Sequence, residues 1–154
     1  MADPGRSALA TQIHARMTAA LKAGEKVELG ALRMLSAAIT NREKELGHAL
    51  TDDEVREVAG KEAKKRTESI EAFEAAGRTE LAEKERAERE VVVAYAPEQL
   101  SEAEVDAIID AAIASSGATS PKEMGKVMGA VMAEAKGRVD GSVVQAKVRA
   151  KLGG

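Results

Sequence analysis

The chain has 154 residues, 31 of them alanine, with Phe73 and Tyr95 as its only aromatics and no cysteine, which suits one ordinary domain or two small ones. The missing cysteines exclude a disulfide framework and a Cys-based zinc site, His14 and His48 are too few for a His-rich metal centre, and two rings cannot build a base-stacking sheet. With 23 basic and 26 acidic side chains the formal charge is −3, so any contact with a polyanion must be local.

No apolar leader follows Met1, and no stretch reaches the roughly 18 uninterrupted apolar residues of a membrane span. A soluble cytoplasmic protein without membrane contact is therefore expected. Abundant Ala, Leu, Glu, Lys and Arg, with apolar residues returning every three or four positions, predict helix almost throughout. Leu9, Ile13, Met17 and Leu21 form a first apolar stripe, and Leu29, Leu32, Leu35, Ile39 and Leu46 a second. At Leu50-Thr51-Asp52-Asp53-Glu54-Val55, Thr51 and Glu54 have capping-box spacing and Leu50 with Val55 can act as a hydrophobic staple. The helix so started passes through Val55, Val58, Ala59, Ala63, Ile70 and Phe73 to Gly77, a candidate αL terminator. Thr79 to Ala94 predicts a helix with a solvated, ion-paired face, Glu80 to Glu90, and an apolar last turn at Val91 to Val93.

Pro97 disfavours helical backbone just before it, which places a domain boundary near Tyr95 to Gln99. The expected architecture is all-α with two helical domains: a multi-helix unit over 1–95 and a small three-helix unit over 96–154. In the second, Ser101 and Glu104 repeat the capping box, Ser120-Pro121 starts another helix with proline at its first position, and Asp140 can cap a last helix from Gly141 to Leu152.

Charge is uneven within this second unit. Pro97 to Thr119 holds five acids (Glu98, Glu102, Glu104, Asp106, Asp110) and no base, whereas Ser120 to Gly154 holds seven bases and three acids, a local excess of +4. Wrapped at about 100° per residue, Ser120 to Lys136 puts Met124, Val127, Met128, Val131 and Met132 on one side. Lys122, Lys126, Gly129, Ala133 and Lys136 share the other, with Gly125 at its margin. Such a face lets a phosphate backbone or a second helix approach the main chain closely. Chemistry alone favours ordinary helix packing for Gly125 and Gly129, because interior glycines cost about 1 kcal/mol each and are often kept for it. The methionine stripe reads as core. In Gly137-Arg138-Val139-Asp140-Gly141, a guanidinium between glycines just before a helix could hold an anion, though a helix end and a cap explain most of the pattern.

Enzymatic patterns are weak. Glu45-Leu46-Gly47-His48 has the Glu-x-x-His spacing of a di-iron bundle but lacks a second such motif. Ser115-Ser116-Gly117 reads as a helix end, and there is no P-loop or dinucleotide fingerprint. Lys61, Lys64, Lys65 and Arg66 form a small basic cluster with Glu57, Glu62 and Glu68 at helix-pair spacing, a neutralised surface.

Several segments together resemble the YqeY family, free-standing relatives of the C-terminal tail of the B subunit of tRNA-dependent amidotransferase. They are Leu32-Arg33-Met34-Leu35-Ser36-Ala37-Ala38-Ile39 with Asn41 and Glu43, Ile70 to Arg78, Tyr95 to Ser101, Met124-Gly125-Lys126-Val127-Met128-Gly129, and Lys136 to Gly141. The resemblance spans nearly the whole chain and implies a helical N-terminal domain and a small helical C-terminal domain. It also implies tRNA as partner, with aminoacyl-tRNA synthetase or amidotransferase subunits as further candidates, and no DNA or cofactor. The family is associated with a carbon-nitrogen ligase reaction that uses glutamine as amide donor. The chain lacks the amidase subunit and the activating domain of that reaction, so no catalysis by it alone is expected; a component of amide transfer and a protein-binding adaptor are the alternative readings. The residues expected to touch RNA are Lys122, Gly125, Lys126, Gly129, Lys136, Gly137, Arg138, Gly141, Lys147, Arg149 and Lys151.

Overall fold

The computed structural model describes residues 5–135 and 138–153. Among them every regular element is helical, so the all-α class holds. The helices are α1 (Ala8–Ala23), α2 (Lys26–Leu46), α3 (Asp52–Ala75), α4 (Thr79–Val93), α5 (Glu102–Ser116), α6 (Met124–Ala135) and α7 (Gly141–Lys151), with a 3-10 turn at Pro121–Glu123 leading into α6. The chain divides into two compact units, Met1–Pro97 and Glu98–Gly154.

Local chemistry accounts for most boundaries. The Thr51 hydroxyl accepts from Glu54 N at 3.2 Å while the Glu54 carboxylate accepts from Thr51 N at 3.3 Å, and Ser101 and Glu104 repeat both bonds at 3.2 and 3.3 Å. Each pair satisfies two amides that the first helical turn leaves without partners. The helices α3 and α5 are followed by Gly77 and Gly117, at φ of 71° and 69°, where a side chain would be strained. Ser120 precedes Pro121 as expected, but the first turn there is 3-10 and the α-helix begins only at Met124.

The first core is formed by Ile13 of α1, Ala31, Leu32, Leu35 and Ile39 of α2, Val55, Val58 and Ala59 of α3, and Val92 of α4, with Leu50 beside them. Leu50 and Val55 both belong to it, as a staple requires. Of the expected stripes, half-buried Leu29 stands outside this core, and two residues are exposed, Leu21 at 56 % and Leu46 at 37 %. Both lie in the last turn of their helices, just before Gly24 and Gly47 turn the chain away. The second core joins Val105, Ile109 and Ala112 of α5, Val127 and Val131 of α6, and Val144 and Val148 of α7, with Ala118 and Leu152.

The charged segments of α3 and α4 differ from expectation. Lys61 and Lys65 pair with Glu57 and Glu62 at 3.7 and 3.2 Å, as a neutralised surface would. Arg66, however, is only 6 % exposed. Its guanidinium binds Glu85 at 3.2 Å and, more closely, Glu88, both from α4, and Arg89 donates to Thr67 Oγ1 at 3.1 Å. The short connection from Ala76 to Arg78 folds α4 back along α3, and these bonds tie the two helices side by side. The α4 carboxylates are therefore not simply a solvated face. The Arg66 Nε is buried without a hydrogen-bond partner, and an added Cβ at Gly30 of α2 would lie 3.9 Å from Glu88 Oε1, so a glycine leaves room beside this pair.

Removing one member of a buried ion pair strands the other charge. Arg66→Ala is expected to cost about 3–5 kcal/mol in chemical denaturation, and Arg66→Met combined with Glu88→Leu to recover most of it. An alanine variant within about 1 kcal/mol of the parent would show that the pair contributes no more than an exposed one.

Asp52, at the start of α3, accepts from Leu9 N in the first turn of α1 at 3.0 Å. That amide and then the Ser7 hydroxyl hold the Asp52 carboxyl below the usual carboxylate range. The carboxylate thus contributes stability that is complete above its unfolded pKa of about 3.9 and is lost as pH falls through the lower folded value. Asp52→Ala is expected to melt below the parent at pH 7, with the gap closing under acid conditions; a gap that stays constant to pH 2.5 would remove the charge from the explanation.

Candidate nucleic-acid interface

The site residues expected from sequence all fall in the second unit. Entry to α6 is held by Glu123, whose carboxylate accepts from Thr119 N at 2.7 Å. That bond above all keeps the Glu123 carboxyl pKa below its ordinary value. Val127, Val131 and Ala135 then face the core, with Met124, Met128 and Met132 packed against it. The methionines are core, as their spacing suggests.

The opposite side of α6 is open. Lys122, Gly125, Lys126, Gly129, Ala130 and Ala133 are all exposed. A Cβ added to Gly125 or Gly129 would meet nothing within 4 Å. Among the described residues nothing would meet a side chain at either glycine, so close packing within the second unit, favoured from composition, is not what they serve. Lys122 and Lys126 form no ion pair among the described residues. Lys136 and Gly137 lie outside the described residues.

Arg138 has a structural task. Its Nε donates to Glu98 O at 3.1 Å, and its carbonyl accepts from Leu100 N at 2.8 Å. Side chain and main chain together tie the segment before α5 to the start of α7. With Lys147 it borders an open cleft of about 350 Å³ floored by Leu100, Val105, Val139 and Val143. The amide end of α7 already has its anion, since Asp140 accepts from Ser142 N at 2.9 Å and from Ser142 Oγ at 2.8 Å. The anion pocket read from Gly137 to Gly141 is thus filled from within by the capping carboxylate. Gly141 sits in ordinary contact with Met132, whose Cε would lie 3.9 Å from an added Cβ.

The remaining cations belong to α7 and separate into two groups. Lys147 donates to Glu102 at 3.0 Å and Asp106 at 3.1 Å, and Lys151 donates to Asp110 at 2.7 Å. The bonds to Glu102 and then Asp106 hold the Lys147 ammonium pKa above the ordinary lysine value. Arg149, two residues from each lysine, points elsewhere: about 200° of helix rotation separates it from Lys147. It is exposed and has no ion pair among the described residues. Within Glu98–Gly154 the seven bases face eight acids, a formal −1, so the five acids from Glu98 to Asp110 more than cancel the +4 excess of the segment that follows. The pairing itself leaves a trace in the spacing: Glu102, Asp106 and Asp110 recur every fourth residue, as do Lys147 and Lys151.

No three His, Asp or Glu side chains converge as a metal site among the described residues. Of the Glu-x-x-His pattern, Glu45 pairs with Arg42 at 2.8 Å and His48 Nδ1 hydrogen-bonds Ala49 O at 2.9 Å. None of the described helices is long and apolar enough to cross a membrane.

Glycine inside a helix costs stability relative to alanine. With open space above it, Gly129→Ala is expected to raise stability by about 0.5–1 kcal/mol in thermal or chemical denaturation. A loss instead would reveal a packing constraint at that position.

No curated protein matches the chain. A family model described as Yqey-like protein matches residues 10–152, a span that takes in helices of both units. The chain therefore belongs to the YqeY-like protein family.

Proposed function

We propose that this protein is an RNA-binding accessory module that contacts tRNA through its phosphate backbone, with the exposed face of α6 as the centre of the contact. The observation that carries the reading is the combination on that face of Lys122 and Lys126, held in no ion pair among the described residues, and of Gly125, Gly129 and Ala133 without bulk. Ammonium groups neutralise phosphates, and the bare main chain between them allows the backbone to come close. Arg149 and the terminal nitrogens of Arg138 extend the set. The scarcity of aromatic rings restricts recognition to shape and backbone, because unpaired bases have little to stack on. The resemblance to the amidotransferase tail supplies tRNA as the RNA and tRNA-handling enzymes as the partners such a module would serve.

A second reading draws on the same absence of bulk, which also suits close approach of a partner's helix. The two differ in their response to salt. Three or four phosphate contacts give a log–log slope of binding against salt of about −2 to −4, and loss of one cation flattens it by about 1. Titration of the full-length protein with total tRNA between 50 and 300 mM salt is expected to show such a slope. Lys126→Ala is expected to flatten it, and Gly129→Ala to weaken binding while the fold becomes more stable. Salt-insensitive binding to a protein partner, with no tRNA binding at low salt, would replace the RNA reading with the adaptor.

A further inference from the structure

We propose that α5 acts as a built-in polyanion that holds Lys147 and Lys151 out of the RNA contact, so that these two form a clasped set beside a free set of Lys122, Lys126 and Arg149. This rests on the RNA-binding reading above. The geometry is a ladder: Glu102, Asp106 and Asp110 stand at i, i+4 and i+8 on α5, about 6 Å apart along the axis. Lys147 lies between the first two, 3.0 and 3.1 Å away, and Lys151 between the last two, 4.0 Å from Asp106 and 2.7 Å from Asp110. The side chains are unequally placed. Those of Lys147 and Lys151 are 22 and 30 % exposed, whereas those of Glu102 and Asp110 are 81 and 65 % exposed. Solvent, and any approaching strand, thus meets the carboxylates more than the ammonium groups. A phosphate reaching for either lysine must break short charge-assisted bonds and come to rest beside acids of its own sign. No such short bond holds Lys122, Lys126 or Arg149, which form no ion pair among the described residues, although Glu123 lies near enough to Lys126 to feel its charge. The α5 ladder therefore confines the contact to the α6 face and the far side of α7, and limits non-specific attraction to other polyanions.

The test is a cycle in the full-length protein, with tRNA binding measured across salt and folding checked by helical circular dichroism. Neutralising the ladder (Glu102→Gln, Asp106→Asn, Asp110→Asn) is expected to tighten binding roughly tenfold at 0.1 M salt and to steepen the slope by about 1.5–2, the signature of two added phosphate contacts. Lys147→Ala with Lys151→Ala is expected to change binding less than twofold in the parent and to abolish the gain in the neutralised protein. A gain that persists without the two lysines, or no gain from neutralisation while the parent binds tRNA, overturns the clasp and leaves the RNA-binding reading standing. If parent and neutralised protein both fail to bind, both readings fall; if only the neutralised protein binds, through the two lysines, the clasp stands in its strongest form. Should the triple variant lose helicity, Asp110→Asn alone frees Lys151 and is expected to give about half the slope change.

Discussion

Both units have to be closed with short aliphatic side chains. The fully buried side chains of the two cores are Ala, Val, Ile and Leu alone, with methionines and Tyr95 packed against them only partly buried, and Phe73 is not fully buried either. Such residues allow helices to approach closely but offer little to tell one register from another, since a Val or Ala ridge fits many neighbouring grooves. Discrimination then falls to features outside the cores. The capping boxes at Thr51 and Ser101 fix where α3 and α5 begin, the Asp52 carboxylate ties α3 to the first turn of α1, and the Arg66 pairs with Glu85 and Glu88 set α3 against α4. Buried ion pairs add little net stability compared with apolar substitutes but penalise misalignment heavily, which suits a core that specifies register weakly.

The second unit uses charge in the same way at its surface. The ladder between α5 and α7 joins residues 41 to 45 positions apart in sequence. Exposed pairs of this kind contribute little to stability, so their larger effect is on the field the unit presents. Seven bases and three acids sit in one half of the segment and five acids in the other; folding brings part of each set into contact and leaves Lys122 and Lys126 of the α6 face without an ion pair among the described residues. The distribution after folding, and not the total of −3, is what a polyanion would meet.

The glycines of α6 make the same point from the cost side. Each gives up helix stability, and no neighbour among the described residues benefits from the missing side chain at Gly125 or Gly129. A cost without an internal return points to something outside the chain, as the proposed RNA contact requires. Arg138 is the opposite case: its sequence setting between glycines suggested a ligand, yet its Nε and carbonyl bind the segment at Glu98 to Leu100.

The helical class, the two capping boxes, the αL terminator at Gly77, the Asp140 cap and the methionine stripe of α6 were all legible in sequence. Each depends on residues within about four positions of one another, where backbone hydrogen bonding and helical periodicity act. Four features were decided only by the tertiary structure. They are the burial of Arg66 between carboxylates, the exposure of Leu21 and Leu46, the empty space above Gly125 and Gly129, and the division of the α7 cations between Arg149 and the clasped lysines. All four depend on which distant helix lies alongside, or on none lying there. Periodicity assigns a residue to a face of its helix, but only the packed fold determines whether that face meets apolar side chains, opposite charge or solvent.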